Sequence, residues 1–170
     1  MQLTESWHLI SLWPVIQQRV GNLPSKQVYI MLKPRLLLIE DNLLRIETFT
    51  EWLSGSEFVL VICRSGGQAK GMMTMGGAET IAGILLDHDL TESAITEHDR
   101  SLSSTDLLPL IATVMKKWTP VLIHSHNPSK AARMHQVFES AGMSVTQTRF
   151  ASLSRDSFDE WLQEVRDNLV

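Results

Sequence analysis

The chain has 170 residues, 44% of them hydrophobic, with a formal net charge of −4 and a pI of about 5.8. That length suits one domain with a short appendage, and the hydrophobic share is enough for a real core. The acidic balance gives no electrostatic footprint for a DNA or RNA polymer, although a local pocket can still hold a small phosphorylated ligand.

The single cysteine, Cys63, excludes an internal disulfide and reads as a buried strand residue. No apolar segment approaches the roughly 18–20 residues that a bilayer span needs. The N-terminus lacks the basic region and cleavage site of a signal peptide, so a cytoplasmic protein with no membrane contact is expected.

Residues 1–33 read as a helical extension. Trp7, Ile10, Trp13 and Ile16 recur at roughly helical spacing, Thr4 reads as the N-cap, and Gly21-Asn22-Leu23-Pro24 ends the helix. Its apolar stripe suits packing on its own domain, or a protein partner or homodimer.

From Pro34 to Val170 strands and helices alternate. Strands are expected at Arg35–Ile39, Phe58–Cys63, Ile84–Leu86, Pro120–His124 and Ser144–Thr148. Helices are expected at Leu43–Leu53, from Gly66 to about Met75, and at Thr105–Trp118, Ser129–Ala141 and Arg155–Leu169. Gly142 ends the fourth helix and Ser154 caps the last. The polar stretch Thr91–Ser104 is long for a strand-to-helix loop. The pattern implies βαβ units and a three-layer, doubly wound α/β domain with a five-stranded parallel sheet. The strands are apolar without alternation, as expected when helices cover both faces.

Three of these apolar runs end in ionisable residues: Glu40-Asp41-Asn42, Asp87-His88-Asp89, and His124-Ser125-His126-Asn127-Pro128. If their strands are parallel neighbours, the three tips converge on the crevice where open α/β sheets bind ligands.

This arrangement resembles the receiver domain of two-component response regulators, over roughly residues 35–169. Glu40 and Asp41 match the acidic pair, Asp87 the phosphorylated aspartate, and Ser125 the hydroxyl at the fourth strand. The resemblance implies the flavodoxin-like strand order 2-1-3-4-5. The lysine that ends the family's fifth strand is missing; the segment reads Thr146-Gln147-Thr148-Arg149-Phe150, and Arg149 is not an equivalent placement. The motifs Leu86-Asp87-His88-Asp89-Leu90 and His124-Ser125-His126-Asn127-Pro128 look like a narrower, cyclic-phosphate-processing branch. That branch implies a phosphoesterase acting on a cyclic phosphate of nucleotide or ADP-ribose type.

The chemistry fits such a site in two ways. Asp41, Asp87 and Asp89 offer oxygen ligands for a divalent cation (Mg, Mn or Zn), and nearby imidazoles favour the transition metals. Without metal, His124 and His126 are suited to serve as general base and general acid around Asp87 and Ser125. His88, Asn127 and Ser129 are placed to hold substrate, the last at a helix N-terminus. Blander roles stand beside these. Asp41-Asn42 can be a helix N-cap, Asn127-Pro128 a turn into the next helix, and His88 a donor to a backbone carbonyl. Met72, Met73 and Met75 are expected to fill core gaps. The competing function is a divergent receiver phosphorylated on Asp87, or a binding module that performs no chemistry.

Overall fold

The computed structural model describes residues 33–90 and 104–169. The expected N-terminal helix and the polar segment 91–103 lie outside the described residues.

Five apolar runs become five parallel strands: β1 (Arg35–Ile39), β2 (Val59–Cys63), β3 (Ile81–Leu86), β4 (Val121–Ile123) and β5 (Val145–Gln147). Their order is β2-β1-β3-β4-β5. Five α-helices alternate with them: α1 (Leu43–Trp52), α2 (Gly66–Thr74), α3 (Ser104–Val114), α4 (Pro128–Ser140) and α5 (Arg155–Asp167). This is the receiver-like α/β fold.

Both sheet faces are covered. Leu37, Ile39, Ile84, Leu86, Val121 and Ile123 pack against α2, α3 and α4 through Met73, Ile111, Met134 and Phe138. Leu36, Leu38, Leu85 and Leu122 pack against α1 and α5 through Phe49, Phe158, Trp161 and Val165. The spacing of Phe158, Trp161, Leu162 and Val165 makes one apolar stripe along α5, which explains how so polar a helix docks. Gly83 allows that docking. A Cβ there would lie 2.9 Å from Val165 Cγ2 and 3.1 Å from both Leu36 and Trp161.

Several boundaries differ from the sequence expectation. β3 begins three residues before the expected Ile84, at Ile81, and all six of its residues are buried. α3 stops at Val114 and not at Trp118; Pro120 biases Thr119 away from helix, and Thr119 N–H closes a turn on Lys116 C=O at 2.9 Å. Met73 fills the core, but Met75 is 86% exposed, since α2 ends beside Gly76 at a φ of +83°. Gly142, with a φ of +79°, terminates α4 as expected.

The register sets up the site. Ile39 pairs with both Cys63 and Leu86, Leu86 with Ile123, and Ile123 with Gln147. The strands therefore finish in one row, and the next residue of each, Arg64, Glu40, Asp87, His124 and Thr148, forms the rim beyond it.

Candidate functional site

Glu40, Asp87 and His124 are the first residues past three adjacent strands. Each is held in the row by a further backbone bond: Glu40 N–H to Cys63 C=O (3.1 Å), Asp87 N–H to Ile39 C=O (3.0 Å) and His124 N–H to Leu86 C=O (3.1 Å). Alternation along a strand puts their side chains on the face of Leu38, Leu85 and Leu122, toward α1 and α5. Glu40 and His124 are 0% exposed and Asp87 is 3% exposed. Asp41, also buried, completes a carboxylate group in which one oxygen each from Glu40, Asp41 and Asp87 lies within 4.8 Å of the others.

Helix α1 supplies the counter-charge. Asn42 is its N-cap, with Oδ1 accepting from Arg45 N–H at 3.2 Å, while Asn42 N–H donates to Glu40 Oε1 at 2.9 Å. This cap directs Arg45 back over the strand tips. Its Nη1 donates to Glu40 Oε2 at 3.1 Å and to Asp87 Oδ2 at 2.9 Å, and its guanidinium lies 5.5 Å from the Phe150 ring centre. Sequence reading missed Arg45. The available signal was a cation in the first turn of the helix that follows the acidic pair.

Burial, and then the charge of Asp87, push the Glu40 carboxyl up to about 7 against the opposing pull of Asn42 N–H and Arg45. Burial also raises Asp87, opposed by its hydrogen bond with the His88 backbone and by Arg45. Burial, reinforced by the Arg45 charge, drives His124 down to about 3, so its imidazole is neutral.

The other expected site residues occupy distinct positions. Asp89 is outside the carboxylate group, which contains Glu40 instead: β3 ends at Leu86, and the bend at His88 breaks the alternation that would have set Asp89 on the face of Asp87 and leaves it exposed. Asp89 Oδ1 meets His88 Nδ1 at 2.7 Å and Lys130 Nζ at 3.1 Å. Those two bonds hold the Asp89 carboxyl low despite its partial burial. His88 is buried. His124 and His126 do not share an environment. His124 packs against Phe49 and Phe150, at ring-centre distances of 5.0 and 6.2 Å, whereas His126 is exposed. Ser125 is buried, and its Oγ accepts from Asn127 N–H at 3.2 Å. Asn127 caps α4 through Lys130 N–H at 3.2 Å, with Pro128 in the first turn and Ser129 exposed. Thr148 follows β5, and its N–H bonds Ile123 C=O at 2.9 Å.

No protein-family model matches the chain, and no curated protein matches it in sequence. Solved structures do match its fold. The signal receiver domain of a putative LuxO repressor protein from Vibrio parahaemolyticus is 17% identical, with a TM-score of 0.57 over 81% of this chain and 93% of that one. A CheY-like receiver domain protein from Methanospirillum hungatei JF-1 is 12% identical, with a TM-score of 0.57 over 79% and 94%. The Mn(2+)-bound form of response regulator Rcp1 is 20% identical, with a TM-score of 0.52 over 76% and 90%. At these identities the likeness is one of fold. Among the described residues, no helix is long and apolar enough to cross a membrane.

Proposed function

We propose that this chain is a divergent receiver module in which Asp87 accepts a phosphoryl group beside a divalent cation held by Glu40, Asp41 and Asp87. The observation that carries this reading is the buried carboxylate group at the C-terminal rim of β1 and β3. Three converging carboxylates are unfavourable without cations, and their oxygens suit a hard divalent cation such as Mg²⁺ or Mn²⁺. A bound divalent cation supplies positive charge for phosphoryl oxygens.

The chain's own residues perform the rest. An Asp87 carboxylate oxygen attacks the phosphorus of a small acyl phosphate. The new P–O bond forms as the donor's P–O bond breaks, and the carboxylate product leaves with the electron pair. Arg45, 2.9 Å from Asp87 Oδ2, favours the ionised nucleophile and stands where charge develops on the acyl phosphate. The buried Ser125 hydroxyl lies past the end of β4, next in line from β3. The output of such a module is a surface whose affinity for a partner changes on phosphorylation.

Incubation with acetyl phosphate and Mg²⁺, followed by intact-mass measurement, tests the reading. A gain of one phosphoryl group that disappears in Asp87→Asn supports it. No gain, or an undiminished gain in Asp87→Asn, rejects it.

A second reading, a phosphoesterase opening a cyclic phosphate, is supported by the imidazole–carboxylate pair of His88 and Asp89 at 2.7 Å beside Asp87. A carboxylate so placed orients an imidazole for base catalysis. The separate environments of His124 and His126 weigh against the version that pairs those two as base and acid. Phosphorus NMR of 2′,3′-cyclic nucleotides and ADP-ribose cyclic phosphate distinguishes this reading by ring opening that is lost in His88→Ala.

A further inference from the structure

His124 is fully buried, and neither ring nitrogen makes a hydrogen bond. Leaving two polar ring atoms dry is costly when no partner compensates. The imidazole is not turned away from the polar cluster. Its Nδ1 lies 3.5 Å from Glu40 Oε2, beyond a good hydrogen bond. That spacing has another meaning. Two donors that each bind one ion at about 2.1 Å are 3.5 Å apart when the angle between them is roughly 110–120°, near the tetrahedral value.

We infer that His124 is a nitrogen ligand at the Glu40 edge of the carboxylate group, making this a mixed oxygen–nitrogen centre selective for a first-row transition ion over Mg²⁺. The inference rests on the proposed reading that Glu40, Asp41 and Asp87 hold a divalent cation, and it adds which cation. The imidazole is fully buried and packs against the rings of Phe49 and Phe150, so little side-chain freedom is lost on ligation. The backbone bond to Leu86 fixes the strand beneath it. Borderline imidazole nitrogen favours Mn²⁺, Fe²⁺, Co²⁺, Ni²⁺ or Zn²⁺, whereas carboxylates alone discriminate weakly against Mg²⁺.

The test uses the metal-free full chain loaded with Mn²⁺ and examined by pulsed electron paramagnetic resonance. A directly bound imidazole gives a ¹⁴N coupling that oxygen ligands do not. The coupling is expected in the natural chain and in His126→Ala, and is expected to vanish in His124→Leu while Mn²⁺ still binds. Competition titration should show the preference for Zn²⁺ over Mg²⁺ falling about tenfold or more in His124→Leu, with Mg²⁺ affinity little changed. Thermal melting checks that the variant folds, and the measurement on the natural chain needs no variant at all. Mn²⁺ binding without ¹⁴N coupling, or a coupling that survives in His124→Leu, overturns the inference but leaves the carboxylate site standing. If neither Mn²⁺ nor Mg²⁺ binds, or if binding is unchanged in Asp87→Asn and Glu40→Gln, the underlying reading fails as well.

Discussion

Arg45, which sequence inspection did not single out, is the cation that holds two of the site's buried carboxylates together. It bridges Glu40 and Asp87, two carboxylates with almost no access to water. Removing one partner of a buried ion pair leaves the other uncompensated, which costs about 3–5 kcal/mol in typical cases. Arg45→Met should therefore destabilise the metal-free protein by about 3 kcal/mol in urea denaturation. A divalent cation takes over the same neutralising role, so saturating Mn²⁺ should stabilise Arg45→Met more than it stabilises the natural chain. Equal stabilisation of both proteins would mean that Arg45 and the cation do not share a site. Asp89 makes the contrasting case. It has the right chemistry for a ligand, but its partners His88 and Lys130 hold it at the rim. Whether it turned inward could not be read from the sequence, because alternation holds only while the strand lasts.

At the scale of elements, most of the fold was legible because both layers leave a periodic trace. The unbroken apolar runs of β1 and β3 announced strands buried on both faces, and Asn42, Asn127 and Ser154 announced helix starts where the structure has them. What was not legible is which helix face meets which strand. Arg45 went unremarked for that reason, since its importance depends on α1 packing over the tips of β1 and β3. The apolar run from Ile81 was visible, but the strand was expected only from Ile84, because Gly83 weakens a strand pattern. Its real role is close approach: α5 has no room for a side chain there. Gly83→Ala should cost about 1–3 kcal/mol through overpacking against Val165 and Trp161. Val165→Ala in that background should recover part of the loss, giving a coupling visible in a double-mutant cycle. Strictly additive effects would place the strain elsewhere.

For the whole molecule, the site imposes a pH signature on stability. Glu40 and His124 lie in one row, and burial forces both toward neutrality from opposite directions. Glu40 rises from 4.5 to about 7, so the folded state binds its proton more tightly than the unfolded chain does. Its contribution is full below about pH 4.5 and is lost as pH rises to about 7. Asp87, also raised by burial, acts in the same sense. His124 falls from 6.5 to about 3, so the unfolded chain binds its proton more tightly. Its contribution is present above about pH 6.5 and is lost as pH falls toward 3. Between those limits one such group changes stability by up to about 1.4 kcal/mol per pH unit. The histidine thus offsets much of the carboxylates' slope in the natural chain. Arg45 faces all three groups and keeps its charge throughout, so it shifts their midpoints without adding a slope of its own. His124→Leu removes the offset. Metal-free urea denaturation from pH 4.5 to 6.5 should show stability falling with rising pH in the variant, more steeply than in the natural chain by about 1.4 kcal/mol per unit at most. Parallel pH profiles for the two proteins would show that His124 does not change its protonation on unfolding, and that its burial does not hold the ring neutral.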